Sequence, residues 1–193
     1  MIQGMMKTHL ENYPVTPENK PILERFQEWD EAIIRRIVSS RPQDPSHGLN
    51  RLMRSLTRAG DADAWTLIVV GLFIAGGDLR DAVIRRVPAL LLTLFVTHIL
   101  KRVFRRSRPS VKMPDLARLL GNPDAFSFPS SHTACAWAIC MGMSLHFPTA
   151  SYFLIPLAAG ISWSRIHVGA HYLSDILVGA SIGVTLSWIV HTI

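Results

Sequence analysis

The sequence predicts an all-α protein: a transmembrane bundle of about five apolar helices, with one or two N-terminal amphipathic helices in front of it. Three observations carry this. Residues 1–63 are polar and charged, whereas 64–193 hold five long apolar runs with few acids. Those runs approach the ~20 residues that cross the hydrocarbon core of a bilayer. Several links between them are short, which makes successive helices antiparallel neighbours.

Residues 1–21, with Pro14, Pro17 and Pro21, read as an irregular tail. The segment 22–63 reads as amphipathic helix. In "ILERFQEWDEAIIRRIV" (22–38), Ile22, Phe26, Trp29, Ile33 and Ile37 recur at helical spacing, with Glu24, Arg25, Glu28, Glu31 and Arg35 between them. This helix is too charged to cross a bilayer. It suits either the membrane interface or a site on the bundle. Residues 39–48 form a Pro- and Ser-rich loop. Over 49–58, Leu49, Leu52, Met53 and Leu56 oppose Arg51, Arg54 and Arg58, the pattern of a second short amphipathic helix.

The membrane-embedded domain is expected over 64–193. Its apolar runs are 64–77, 84–104, 131–147, 150–163 and 173–190, with links at 78–83 and 147–150. Pro88 and Pro156 mark a helix start or a kink. Small residues (Gly142, Ala158, Ala159, Gly160, Gly179, Ala180, Gly183) permit close helix packing in the last three. Helix counting then places the end of the second run, the start of the third, the end of the fourth and the start of the fifth on one face.

The net charge of +6 fits an anionic partner. Nucleic acid is disfavoured, because the basic residues adjoin apolar helices and no RNA-binding aromatic motif or zinc finger is present. Cys135 and Cys140, five apart on one helix, point in different directions and read as core residues. No secretory signal precedes the apolar runs, so internal helices would direct insertion.

Three polar clusters meet on the shared face: "KRVFRRSRP" (101–109), "FPSSHT" (128–133) and "SRIHVGAHYLSD" (164–175). They supply Lys101, Arg108, Arg165, Ser130, Ser131, His132, His171 and Asp175. Fixed cations and helix N-terminal amides suit a phosphoryl group, whose oxygens gather charge during transfer. His171 and Asp175 are four apart. On one helical turn the carboxylate can bond one ring nitrogen and leave the other free to attack. His132 would then protonate the departing oxygen. Arg102, Arg105 and Arg106 read as the basic flank of a membrane helix. His167 and His171 have the spacing of a metal pair, but no convincing third ligand accompanies them, and no metal or other cofactor is expected.

These clusters resemble the type 2 phosphatidic acid phosphatase (PAP2) superfamily over about residues 50–190. Its first motif, Lys, six residues, Arg-Pro, is matched by Lys101, Arg108 and Pro109. Its second, Pro-Ser-Gly-His, is matched by Pro129, Ser130, Ser131 and His132, with Ser131 where Gly is commoner. Its third, Ser-Arg, five residues, His, three residues, Asp, is matched by Ser164, Arg165, His171 and Asp175. Three motifs in the right order are far more specific than any one.

The resemblance implies a metal-independent phosphatase of the membrane lipid branch. His171 would become a phosphohistidine, oriented by Asp175, with His132 as acid. Lys101, Arg108, Arg165, Ser130 and Ser131 would bind phosphate. The expected partners are a lipid phosphate or (poly)prenyl diphosphate and the lipids of the membrane, in a multi-pass protein of a bacterial inner membrane. Serine is the mildest replacement for Gly, so activity should survive at Ser131. Two other readings use the same residues: a lipid phosphotransferase, and a catalytically silent lipid-binding scaffold.

Overall fold

The structure is a computed structural model that describes residues 22–114, 119 and 125–193. The expected tail over 1–21 lies outside the described residues. Regular structure among the described residues is helical. The helices are α1 (Ile22–Ser40), α2 (Gly48–Ala59), α3 (Ala62–Ala75), α4 (Gly77–Phe104), α5 (Pro109–Lys112), α6 (Ser131–His146), α7 (Ser151–His167) and α8 (Leu173–Thr192).

The apolar runs all become helices, and one boundary differs from expectation. Residues 78–83 are not a link but the first turns of α4, which continues through Pro88 for 28 residues. The reversal from α3 to α4 takes place at Gly76 and Gly77, both with positive φ (77° and 54°). Side chains rarely adopt that region, and two glycines adopt it freely. Arg80 Nε donates to the Phe73 carbonyl at 3.1 Å, which satisfies one orphan acceptor at the end of α3.

Helix α6 is the centre of the bundle, with α8, α7 and α4 packed around it. The α6–α8 crossing is closest at two glycines. A Cβ on Gly179 would lie 2.7 Å from the Ser130 carbonyl oxygen, and one on Gly183 would lie 2.9 Å from the Ala138 nitrogen. Ser187 Oγ seals the same crossing by donating to the Ala138 carbonyl at 2.6 Å. One core cluster, Trp65, Ala136, Cys140, Ala158 and Ile161, fills the bundle. Cys135 and Cys140 are buried free thiols. Outward faces stay apolar: Leu67, Ile74, Phe95, Val103, Tyr152 and Phe153 are each more than 60% exposed. Two helices, Gly77–Phe104 and Leu173–Thr192, are long and apolar enough to cross a membrane.

The amphipathic helices pack on the bundle, and α1 does so through a different stripe from the expected one. Phe26 and Trp29 are exposed, whereas Asp30, Ile34 and Val38 are buried. Ile34 and Val38 join Met113, Ile166, Tyr172 and Ile176 in a second core cluster. An acid, Asp30, therefore sits in line with the apolar residues of the buried face. The loop to α2 is anchored on the end of α7. Arg41 Nη1 donates to the His167 carbonyl at 2.7 Å, and Asn50 holds the Pro42 and Asp44 carbonyls at 2.8 and 2.7 Å.

Candidate active site

The four expected points do converge. The end of α4 brings Lys101, and the segment after it brings Arg106 and Arg108. The start of α6 brings Ser130, Ser131 and His132. The end of α7 brings Arg165, the next loop brings His171, and the first turn of α8 brings Asp175. Local bonds fix these pieces. Ser127 N–H donates to the Arg106 carbonyl at 2.9 Å, and Lys101 Nζ to the Phe126 carbonyl at 2.8 Å, so the two ends of the 105–127 excursion are tied together. Ser130 caps α6 by accepting from Thr133 N–H at 3.4 Å, and its own N–H donates to the Asp175 carbonyl at 3.1 Å.

His171 is fully buried. Its Nδ1 lies 3.3 Å from Asp175 Oδ2, and its Nε2 lies 3.1 Å from Arg108 Nη1. A guanidinium can only donate, so Nε2 is the unprotonated nitrogen and Nδ1 carries the hydrogen toward Asp175. This is the tautomer a nitrogen nucleophile needs. Burial holds the His171 imidazole well below the ordinary histidine value, and the nearby charges of Arg108, Arg165, Lys101 and His132 push the same way. Those cations surround His171, and Lys101, Arg108 and Arg165 are each more than nine-tenths buried.

Asp175 is held from three sides. It accepts from His171, from the Tyr172 N–H at 3.0 Å and from Arg106 Nη1 at 2.9 Å. Arg106 is thus no basic flank. It lies half-buried behind Asp175, with its guanidinium 4.0 Å from the Tyr172 ring centroid. Its other nitrogen meets Asp30 Oδ2 at 2.7 Å. His132 bonds Asp61 Oδ1 through Nε2 at 2.8 Å. Asp30, Asp61 and Arg106 were not expected from the sequence. Asp61 carried a signal, since an Asp a few residues before an apolar run suits a helix start. His167, the other member of the metal-like pair, bonds Asn50 Oδ1 through Nε2 at 2.9 Å.

A buried imidazole whose Nε2 accepts from Arg108, a second histidine and a ring of buried cations make a histidine-based site suited to an anion at one end of a helical bundle. The chain belongs to the PAP2 superfamily, whose family model matches residues 83–193. All eight expected site residues fall within that stretch. Over 105 residues the chain is 36% identical to a decaprenylphosphoryl-5-phosphoribose phosphatase of Mycobacterium tuberculosis, a match covering 51% of this chain and 56% of the relative. The chain thus spans little more than half the length of that relative. Among solved structures it is similar to Aquifex aeolicus LpxE, with a TM-score of 0.71 at 26% identity over 84% of this chain and 94% of that one. It is also similar to a transmembrane PAP2-type phosphatidylglycerolphosphate phosphatase from Bacillus subtilis, with a TM-score of 0.69 at 25% identity over 87% and 85% of the two chains.

Proposed function

We propose that the protein is an integral-membrane phosphatase that hydrolyses a lipid phosphate through a phosphohistidine. One observation carries the lipid: an apolar groove of about 290 Å³ between α3, α4 and α6, walled by Trp65, Val69, Leu90 and Leu94, ends at Ser131 and His132. A tail in that groove puts its own oxygen beside the proposed acid, so the tail belongs to the leaving group. Relatives named for prenyl-linked and glycerol-linked lipid phosphates support a lipid substrate.

In this reading the phosphoryl oxygens take Lys101, Arg108, Arg165 and the α6 N-terminus as partners. As Arg108 turns to the anion, the Nε2 lone pair of His171 is released. Nε2 attacks phosphorus while the P–O bond to the lipid breaks, and the departing oxygen takes a proton from His132. Asp175 stabilises the charge that appears on the His171 ring. Water then attacks the phosphohistidine, loses a proton to His132, and inorganic phosphate departs with both histidines restored.

The same reading makes α3, α4, α6, α7 and α8 five membrane spans, with α1 and α2 (the 22–63 segment) seated at the catalytic end of a 64–193 domain. Helices α3, α6 and α7 hold 14, 16 and 17 residues. That is short for a lone span, and the local bilayer thins to meet such helices. The exposed apolar faces of α3, α4, α7 and α8 suit lipid rather than water. The protein would be a multi-pass member of a bacterial inner membrane.

The test is phosphate release by detergent-purified protein, with EDTA present, from phosphatidate, polyprenyl phosphates and polyprenyl diphosphates, beside His171→Ala. Wild type should release phosphate and give an acid-labile phosphoprotein on rapid quenching. His171→Ala should lose about 10⁴-fold in rate and all of the phosphoprotein. Unchanged release by His171→Ala sinks the mechanism. A phosphorylated acceptor alcohol in place of inorganic phosphate would make the protein a transferase with the same nucleophile.

A further inference from the structure

Two carboxylates from before residue 83, where the family match begins, reach the histidines: one bonds His132 directly, and the other reaches His171 through Arg106 and Asp175. The first is Asp61. It occupies the N-cap of α3, where an aspartate ordinarily accepts from a backbone N–H two or three residues on. Here it makes no capping bond. Its Oδ1 is turned instead to His132 Nε2, at 2.8 Å. The α2–α3 turn comes close enough because of Gly60: a Cβ there would lie 2.7 Å from Ile161 Cγ2, and 3.6 Å from His132 Cδ2. A helix cap worth about 1 kcal/mol is forgone for a bond to the proposed acid.

The second is Asp30, fully buried in the middle of α1. It accepts from Ser174 N–H at 3.1 Å, from Ser174 Oγ, and from Arg106 Nη2 at 2.7 Å. Arg106 Nη1 reaches Asp175 Oδ1 at 2.9 Å, and Asp175 Oδ2 reaches His171 Nδ1. Asp30, Arg106, Asp175 and His171 thus form an unbroken alternating chain of charge and hydrogen bonds. A buried carboxylate is costly unless it is paired and bonded, and the cation paired with this one also holds Asp175.

We propose that the N-terminal helices complete the catalytic machinery: Asp61 positions the general acid His132, and Asp30, acting through Arg106 and Asp175, positions the nucleophile His171. The inference rests on the phosphatase reading above. Burial and the Arg165 charge push the His132 imidazole down to about 4, and Asp61 works against both. With the substrate anion offsetting Arg165, Asp61 holds the Nε2 hydrogen and leaves Nδ1 as the nitrogen that passes a proton to the leaving oxygen. Asp30 shares the Arg106 charge, so that Arg106 aligns Asp175 without drawing it away from His171.

The two roles give different signatures in kcat/KM, which reports the first phosphoryl transfer. An alkyl phosphate must have its leaving oxygen protonated, whereas a nitrophenyl phosphate carrying the same tail departs as a stable anion. Asp61→Asn should lose about 100-fold on the alkyl ester and within about threefold on the aryl ester. Its basic pH limb on the alkyl ester should move to lower pH, because His132 loses its counter-charge. Asp30→Asn should lose about tenfold on both esters alike, with Asp30→Glu recovering part of it. Melting temperatures of each variant in detergent show that the fold survives. Equal losses on both esters in Asp61→Asn, or none, overturn its role. An unchanged kcat/KM in a folded Asp30→Asn overturns the chain to His171, and so does a loss confined to the alkyl ester. Wild-type-level activity in His171→Ala, run alongside, would instead mark failure of the phosphatase reading itself.

Discussion

The two histidine–carboxylate pairs of the site are built in opposite ways. His171 and Asp175 are four residues apart, 3.3 Å from one another, and almost wholly closed to solvent at 1% and 0% side-chain exposure. His132 and Asp61 are 71 residues apart, 2.8 Å from one another, and reach solvent at 18% and 48%. The difference matches the two tasks assigned to them. A nucleophile must be neutral, fixed in one tautomer and kept from water that would compete with the phosphoryl group. An acid must regain its proton every cycle, so it belongs at the mouth of the groove. The buried pair is backed by Arg106 and Asp30, which supply the bonds that water would supply elsewhere. The exposed pair needs no such backing.

The largest effect should come from breaking the buried pair. Asp175→Asn leaves the shape intact but offers Nδ1 an amide instead of a carboxylate, and the imidazole loses its preferred tautomer. A loss of about 10⁴-fold in kcat is expected on alkyl and aryl esters alike. That contrasts with the smaller, ester-dependent loss expected at Asp61. A loss at Asp175 no larger than at Asp61 would contradict the assignment of nucleophile and acid.

Gly183→Ala tests the same contrast through the scaffold. The new methyl group would press on Ala134 and on Trp137 Cβ, 2.9 Å away. Helices α6 and α8 must separate, at about 1–3 kcal/mol in stability. Asp175 rides on α8 and bonds Ser130 through its carbonyl, so the buried pair should feel the shift. Asp61 rides on α3 and should not. The expected result is a lower melting temperature and a kcat loss equal on both esters. A loss confined to the alkyl ester would place the disturbance at His132 instead.

The smallest effect is in pH dependence. Unfolded His171 takes up a proton near pH 6.5, whereas in the fold it does so only at much lower pH. Between those values the unfolded state binds the extra proton, so stability falls as pH drops below about 6.5 and is unaffected above it. Each pH unit in that window is worth about 1.4 kcal/mol. Between pH 7 and 5.5 the melting temperature of wild type should fall more than that of His171→Asn. Parallel curves would show that His171 is not kept neutral by the fold.

The sequence by itself determined the parts whose causes are local. Apolar runs set the five long helices, because hydrophobicity and helix propensity act over a dozen neighbouring residues. The spacing of His171 and Asp175 put them on one helical turn, and the three motifs named the cations around them. The glycines at 179 and 183 foretold close packing. Helix counting brought the three clusters to one face, but the partners from outside them were set only in three dimensions. Asp30 lay off the expected stripe of α1, Arg106 looked like one more arginine in a basic run, and Asp61 stood outside every motif. Each acquired a partner only when α1 and the α2–α3 turn were laid against the ends of α6, α7 and α8. Such pairing depends on how helices end and cross in three dimensions, and no periodicity along the chain encodes it. The reversal at Gly76 and Gly77 shows the same limit at short range. Residues 78–83 are polar enough to read as a link, and it is the positive φ of two glycines that lets them begin a helix.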